Sequence, residues 1–254
     1  MSLTYEESPN NPHPIAYDVE SNEIVFYDEK DINGCKKAEG IFEWIPDIRV
    51  NMSFGVLFVV GQMGAGKTHF IMQVAEQYKR IFPNGHIYYF CQKPSDPTVD
   101  EHHGLKIERI QFDETFMSKQ IDITRDKCFH NGCMCIFDDF FTIPDKKVVE
   151  KILQIVMQCI TLGRQYKIYT SISSHMMYGF KNKEIYASIE TEATQMCWFK
   201  GVNVHQLVYV LQNYWGYDKS QIKKMLRFDN VSRWTLINRF PAYILTQNKC
   251  AIIN

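Results

Sequence analysis

The residues of this chain best suited to chemistry by type and spacing are Gly61, Gln62, Met63, Gly64, Ala65, Gly66, Lys67 and Thr68, followed by His69. They fit G-x-x-x-x-G-K-[ST], in which the glycines let the backbone curl so that successive N–H groups converge on phosphate oxygens. A helix starting near Lys67 aims the positive end of its dipole at the same anion. The chemistry expected is binding of the ATP phosphates, with Lys67 reaching the β- and γ-phosphates and the Thr68 hydroxyl on Mg²⁺. Average residue usage puts a chance match at roughly one chain of this length in a hundred, before any flanking element is required.

A second acidic element follows at Cys133-Met134-Cys135-Ile136-Phe137-Asp138-Asp139, five apolar residues and then two carboxylates. Asp138 is expected to hold Mg²⁺ through water, and Asp139 to orient or deprotonate the attacking water. Adjacent aspartates after a strand also cap turns, which is the commoner role. A further strand-like run, His86 to Cys91, lies between the two motifs. Among P-loop proteins that spacing marks hydrolytic motors rather than kinases or GTPases.

After the next apolar run come Ser173-Ser174-His175, where Ser174 or His175 is expected to sense the γ-phosphate. Backbone hydrogen bonds closing a strand account for either residue about as well. Arg164 is a candidate for an arginine finger acting in trans, with Arg227 and Arg233 as competitors. A cation at a helix C-terminus is favourable by itself, and Gly163 reads as the end signal of that helix.

These groups need a scaffold. Apolar, β-branched and aromatic runs predict buried strands at Val56–Val60, His86–Cys91, Cys133–Asp138, Lys167–Ser173 and Gln195–Lys200. Helices are predicted from Lys67 to about Ile81, from Asp145 to about Leu162, and over Val204–Tyr214 and Lys219–Arg227. Two further strands, Ser232–Ile237 and Ala242–Leu245, predict a C-terminal hairpin. The first fifty residues are turn-rich, with one strand-like run at Glu23–Tyr27, and read as an extension packing on a core formed by residues 51–254.

Composition bounds the rest. In 254 residues, 45% hydrophobic and 22% charged, there is material for one large globular domain. The formal net charge of -1 leaves nucleic-acid contact to local patches such as Lys79-Arg80 or the run Lys219 to Arg227. Solvated helix faces explain those patches equally well. Eight irregularly spaced cysteines without a leader sequence read as reduced thiols, so the chain is not expected to be secreted. Cys128, His130, Cys133 and Cys135 have the ligand types of a zinc site, but Cys133 and Cys135 fall within a buried strand and read as core. The longest apolar run, Phe54 to Val60, is too short to span a membrane.

From about Phe54 to Lys200 the chain resembles the poxvirus-type, FtsK/HerA-superfamily genome-packaging ATPases of large DNA viruses and virophages. The likeness rests on Phe-Gly-Val-Leu-Phe-Val-Val-Gly-Gln-Met-Gly-Ala-Gly-Lys-Thr, Cys-Ile-Phe-Asp-Asp-Phe, Leu-Gly-Arg-Gln before a strand, and Ser-Ser-His after it. It implies an α/β, RecA-like P-loop NTPase of the additional-strand class, with a central, mostly parallel sheet in the order 5-1-4-3-2. It further implies a ring-like homo-oligomer that uses ATP and Mg²⁺ to drive double-stranded DNA into a capsid. Capsid proteins are then expected partners, and the host cytoplasm or the virion the expected location. A cellular or conjugative DNA pump, or an ATP-dependent clamp with slow hydrolysis, are the alternative functions.

Overall fold

A computed structural model describes residues 1–5, 7, 13–28, 35–46, 54–123, 129–130, 132–177 and 183–253. The first strands are β1 (Ser2–Thr4), β2 (His13–Asp18), β3 (Glu23–Asp28), β4 (Lys37–Glu39) and β5 (Phe42–Trp44). The chain continues through β6 (Gly55–Val60), α1 (Lys67–Ile81), β7 (His86–Cys91), the single turn α2 (Pro97–Asp100), β8 (Ile107–Gln111) and β9 (Cys133–Phe137). Next come α3 (Lys146–Tyr166), β10 (Ile168–Ser174), α4 (Lys183–Glu192) and β11 (Gln195–Phe199). It closes with α5 (Val204–Asn213), α6 (Lys219–Leu226), β12 (Trp234–Asn238), β13 (Tyr243–Thr246) and β14 (Lys249–Ile252).

One sheet dominates, with the order β4-β14-β13-β12-β11-β6-β10-β9-β7-β8. From β11 to β8 every pairing is parallel. From β11 to β4 every pairing is antiparallel. The parallel strands β6, β9 and β11 are buried at every residue, as strands covered on both faces must be. One apolar layer holds α3, α4, α5 and α6 against the sheet, and the other holds α1. Because the central strands are parallel, their C-terminal ends share one edge, and the loops that follow them open there.

The first fifty residues do more than the sequence suggests. β1-β3-β2-β5 form a second, antiparallel sheet, while β4 joins the main sheet beside β14. Trp44 and Phe42 pack in the same apolar cluster as Phe70, Ile71 and Val74 of α1. The Trp44 indole donates to the Tyr243 hydroxyl at 2.8 Å, so the small sheet is tied to the main one.

Three other elements depart from expectation. Gly163 does not end α3, which runs on to Tyr166 and closes with Lys167 in the left-handed region at φ 53°. Gly163 is instead a site of close packing, since a Cβ there would lie 3.2 Å from the Ile168 carbonyl oxygen. Strand β8 and helix α4 were also not anticipated. β8, Ile-Glu-Arg-Ile-Gln, carries a charged pair because it lies at the sheet's edge.

Candidate nucleotide-hydrolysing site

Strand β6 ends at Val60, and the next residues turn sharply back over the sheet edge. Gly61 donates its N–H to the Ser174 carbonyl at 3.1 Å, and a Cβ at Gly61 would meet Phe199 Cβ at 2.9 Å. Gly66 caps α1 with φ 105°, a conformation strained for any residue bearing a Cβ. The loop and the first turn of α1 border a cavity of about 500 Å³ lined by Gly64, Gly66, Lys67, Thr68, His69, Asp138, Asp139 and His175. Met63 also lines it and is 87% exposed at the loop tip. Gln62 does not face the cavity with its side chain, which donates to the Gly201 carbonyl at 2.9 Å. Gly61 and Ala65 are not among the residues that line the cavity.

Lys67 is 5% exposed, and its ammonium is folded back onto the loop. It donates to the Gly61 carbonyl at 3.1 Å and lies 3.4 Å from Asp139 Oδ2. His175 completes this group: Nδ1 is 3.2 Å from Lys67 Nζ, and Nε2 is 3.2 Å from Asp139 Oδ2. Asp139 itself sits in the left-handed region at φ 45°, which turns its carboxylate toward the phosphate loop. Such backbone strain in a non-glycine residue is commonest at functional sites.

Asp138 also lines the cavity, and its carboxylate is held by donors from the neighbouring strands. Its Oδ2 accepts from the Tyr89 hydroxyl at 2.6 Å and its Oδ1 from the Ser173 hydroxyl at 2.5 Å. Burial pushes the Asp138 carboxyl above its ordinary range, and these two donors pull it back down. Burial, and then the negative charge of Asp138, drive the Tyr89 phenol far up, so Tyr89 stays a donor. Thr68 Oγ1 lies 3.5 Å from Asp138 Oδ2. A hydroxyl and a carboxylate side by side on a cavity wall are hard oxygen donors of the kind that hold Mg²⁺ with its waters, so the site fits that ion.

The serine assignment requires a correction. Ser174 turns its hydroxyl away from the cavity, donating to the Met176 carbonyl at 2.8 Å and lying 3.5 Å from the Tyr186 hydroxyl. Its neighbour Ser173 faces the site, accepting the Asp139 N–H at 2.9 Å as well as donating to Asp138. Successive side chains of a strand point to opposite faces, so only one of the pair can face Asp138. Tyr89 and Gln92, which the sequence reading passed over, also line the cavity. Gln92 donates to Thr142 Oγ1 at 3.0 Å. Only the position of both residues at the end of β7, beside β9, singles them out.

None of the three arginines lines this cavity. Arg164 is exposed in the last turn of α3, which runs back from the end of β9 to the start of β10. A helix of 21 residues spans about 30 Å, so Arg164 stands at the edge opposite the phosphate loop. Arg233 is on the loop's own edge, where its carbonyl accepts the Lys200 N–H just beyond β11. Arg227 is exposed at the C-terminus of α6. The described residues contain no cluster of three or more His, Cys, Asp or Glu suited to a metal ion. Cys133 and Cys135 are buried core residues, and Cys128 lies outside the described residues.

No family model matches the chain. It is 29% identical over 195 residues to the uncharacterized protein V3 of Sputnik virophage, covering 76% of this chain and 75% of that one. The DNA-packaging ATPase B204 of Sulfolobus turreted icosahedral virus superposes with a TM-score of 0.51 at 11% identity, over 77% of this chain and 97% of B204. The chain shares its fold with B204. The conjugation coupling protein TcpA of pCW3, solved with ATPγS, shares this fold at a TM-score of 0.51 and 12% identity, over 93% of this chain and 76% of TcpA. Within this fold, the sheet edge bearing Lys67, Asp138 and Asp139 is where this chain gathers its titratable groups. No described helix is long and apolar enough to cross a membrane.

Proposed function

We propose that this chain is an ATP-hydrolysing DNA translocase that packages a double-stranded viral genome into a capsid, working as a ring-like homo-oligomer. The observation that carries this reading is the convergence of Lys67, His175 and Asp139 on one side of the cavity with Thr68 and Asp138 on the other. A protein that only bound ATP needs the loop and a metal-holding carboxylate. The second carboxylate, set 3.4 Å from the loop lysine, supplies a base for water.

The phosphates lie against the loop amides, and Lys67 leaves the Gly61 carbonyl and Asp139 for the β- and γ-oxygens. Thr68 and Asp138 would hold Mg²⁺ with its waters, and the ion would supply positive charge next to the phosphate oxygens. Release of Lys67 frees Asp139 Oδ2 to take a proton from water, while His175 keeps that carboxylate oriented. Ser173 ties the two aspartates together, so a change at either one is felt at the end of β10. An arginine of a neighbouring copy completes the site, with Arg227 and Arg233 better placed than Arg164.

The first relative's virophage source and the fold shared with B204 support packaging over a cellular pump. The longer coverage of this chain by TcpA supports conjugative-type DNA pumping as the second reading. Displacement of a triplex-forming strand from linear duplex DNA tests translocation directly. Displacement that requires ATP and is lost in Lys67→Ala supports the motor; failure to displace while ATP is being hydrolysed rejects it.

A further inference from the structure

Two exposed surfaces on opposite faces of the main sheet complement each other in charge and apolar content. The first lies between α5 and α6, where Val208, Ile222 and Leu226 floor an open groove of about 190 Å³. Lys219, Lys223 and Arg227 line the same groove, at i, i+4 and i+8 along one stripe. None of the three forms an ion pair with a described residue. α6 contains no carboxylate, and Asp218 is committed to capping it.

The second surface is the outer face of the small sheet. Ala16, Phe42 and Trp44 point inward and are buried, whereas Val19, Ile24 and Ile41 are 46%, 38% and 46% exposed. Tyr17 stands opposite both Ile24 and Glu43, and the Val19 N–H donates to the Ile41 carbonyl at 2.8 Å, so these residues form one continuous patch. Glu20, in the turn beside it, and Glu23, at the start of β3, are exposed, and Glu43 is half-buried on its flank.

We propose that these are the two sides of a single head-to-tail interface between copies of this chain. The Val19, Ile24 and Ile41 patch of one copy fills the α5–α6 groove of the next, and Glu20, Glu23 and Glu43 face Lys219, Lys223 and Arg227. A nucleic-acid backbone satisfies the cations but gains nothing from the apolar floor, whereas an acid-rimmed apolar patch satisfies both. An apolar centre within a charged rim is also the ordinary anatomy of a protein interface. The patch lies on the α1 side of the sheet and the groove on the α3 side. Contact between unlike surfaces so placed propagates from copy to copy and closes into a ring when the rotation allows. Arg227 is thereby held at the border between copies. This inference rests on the self-assembly part of the function proposed above.

Sedimentation velocity of the full chain tests it. Glu20→Lys/Glu23→Lys and Lys219→Glu/Lys223→Glu should each weaken self-association at least tenfold, and an equal mixture of the two variants should restore it, since each reversed surface then finds its complement. Recovery in the mixture also shows that both variants fold. A wild-type chain that is monomeric at all concentrations, either variant associating like wild type, or a mixture that stays dissociated overturns the proposal. So does a groove variant that loses duplex-DNA binding while associating normally, which assigns the groove to nucleic acid. DNA-stimulated turnover measured on the same samples separates the two claims: a restored oligomer whose turnover ignores DNA keeps the interface and rejects the motor.

Discussion

Replacing Ser173 with alanine should damage catalysis far more than replacing Ser174, although the two hydroxyls are neighbours in sequence and both are buried. Ser173 donates at 2.5 Å to Asp138 and accepts the Asp139 N–H at 2.9 Å, so its removal leaves a carboxylate oxygen and a backbone donor unpaired. A hydrogen bond to a charged group is worth about 1.5–3 kcal/mol and one to a neutral group about 0.5–1.5 kcal/mol. Together that is about 2–4.5 kcal/mol, and expressed fully in the transition state it lowers kcat by about 30- to 2000-fold. Among the described residues the Ser174 hydroxyl bonds only to Met176 and Tyr186, so Ser174→Ala should cost about 1 kcal/mol of stability and leave kcat within about threefold. Phosphate release at saturating ATP gives kcat, and urea unfolding gives the stability of each variant. If Ser174→Ala loses kcat as severely as Ser173→Ala, with equal folding, the orientation of β10 argued above is wrong.

Three further outcomes follow from single contacts. Tyr89→Phe removes the donor to Asp138 Oδ2 and should raise the Mg²⁺ concentration for half-maximal turnover several-fold, read from a metal titration. Glu190 is fully buried with neither oxygen hydrogen-bonded among the described residues, and burial pushes its carboxyl up to about 8. Its folded pKa exceeds the unfolded value of about 4.3, so the stability it contributes is complete below that pH and is lost as pH rises through about 8. Glu190→Gln, neutral throughout, should abolish that decline in urea unfolding between pH 6 and 8.5. Gly163→Ala brings a Cβ to 3.2 Å from the Ile168 carbonyl oxygen and should lower the melting temperature, although alanine is the better helix former.

Candidate reactive groups are easier to read from the sequence than the contacts that surround them. Lys67, Thr68, Asp138 and Asp139 were legible because a glycine-rich loop and a carboxylate pair each follow an uninterrupted apolar strand. His175 was picked out by position, and it contacts both Lys67 and Asp139. Ser173 was passed over for Ser174 because β10 is buried on both faces, which removes the alternation that tells one face from the other. Tyr89 looked like one more aromatic residue in a core strand, since only a long-range pairing brings β7 beside β9. Gly163 resembled a helix stop, yet its use is the close approach of β10, a tertiary fact. The described strands of the first fifty residues are short and interrupted by turns, and their apolar residues join a cluster made with α1 and several strands of the main sheet.

The central claim is that Asp139 and Lys67 hydrolyse ATP in the service of moving duplex DNA, and the steady-state rate of phosphate release with and without linear double-stranded DNA tests it most directly. The account predicts that DNA raises the rate and that Lys67→Ala and Asp139→Ala abolish turnover under both conditions. A rate indifferent to DNA, or one that survives loss of Asp139, contradicts it.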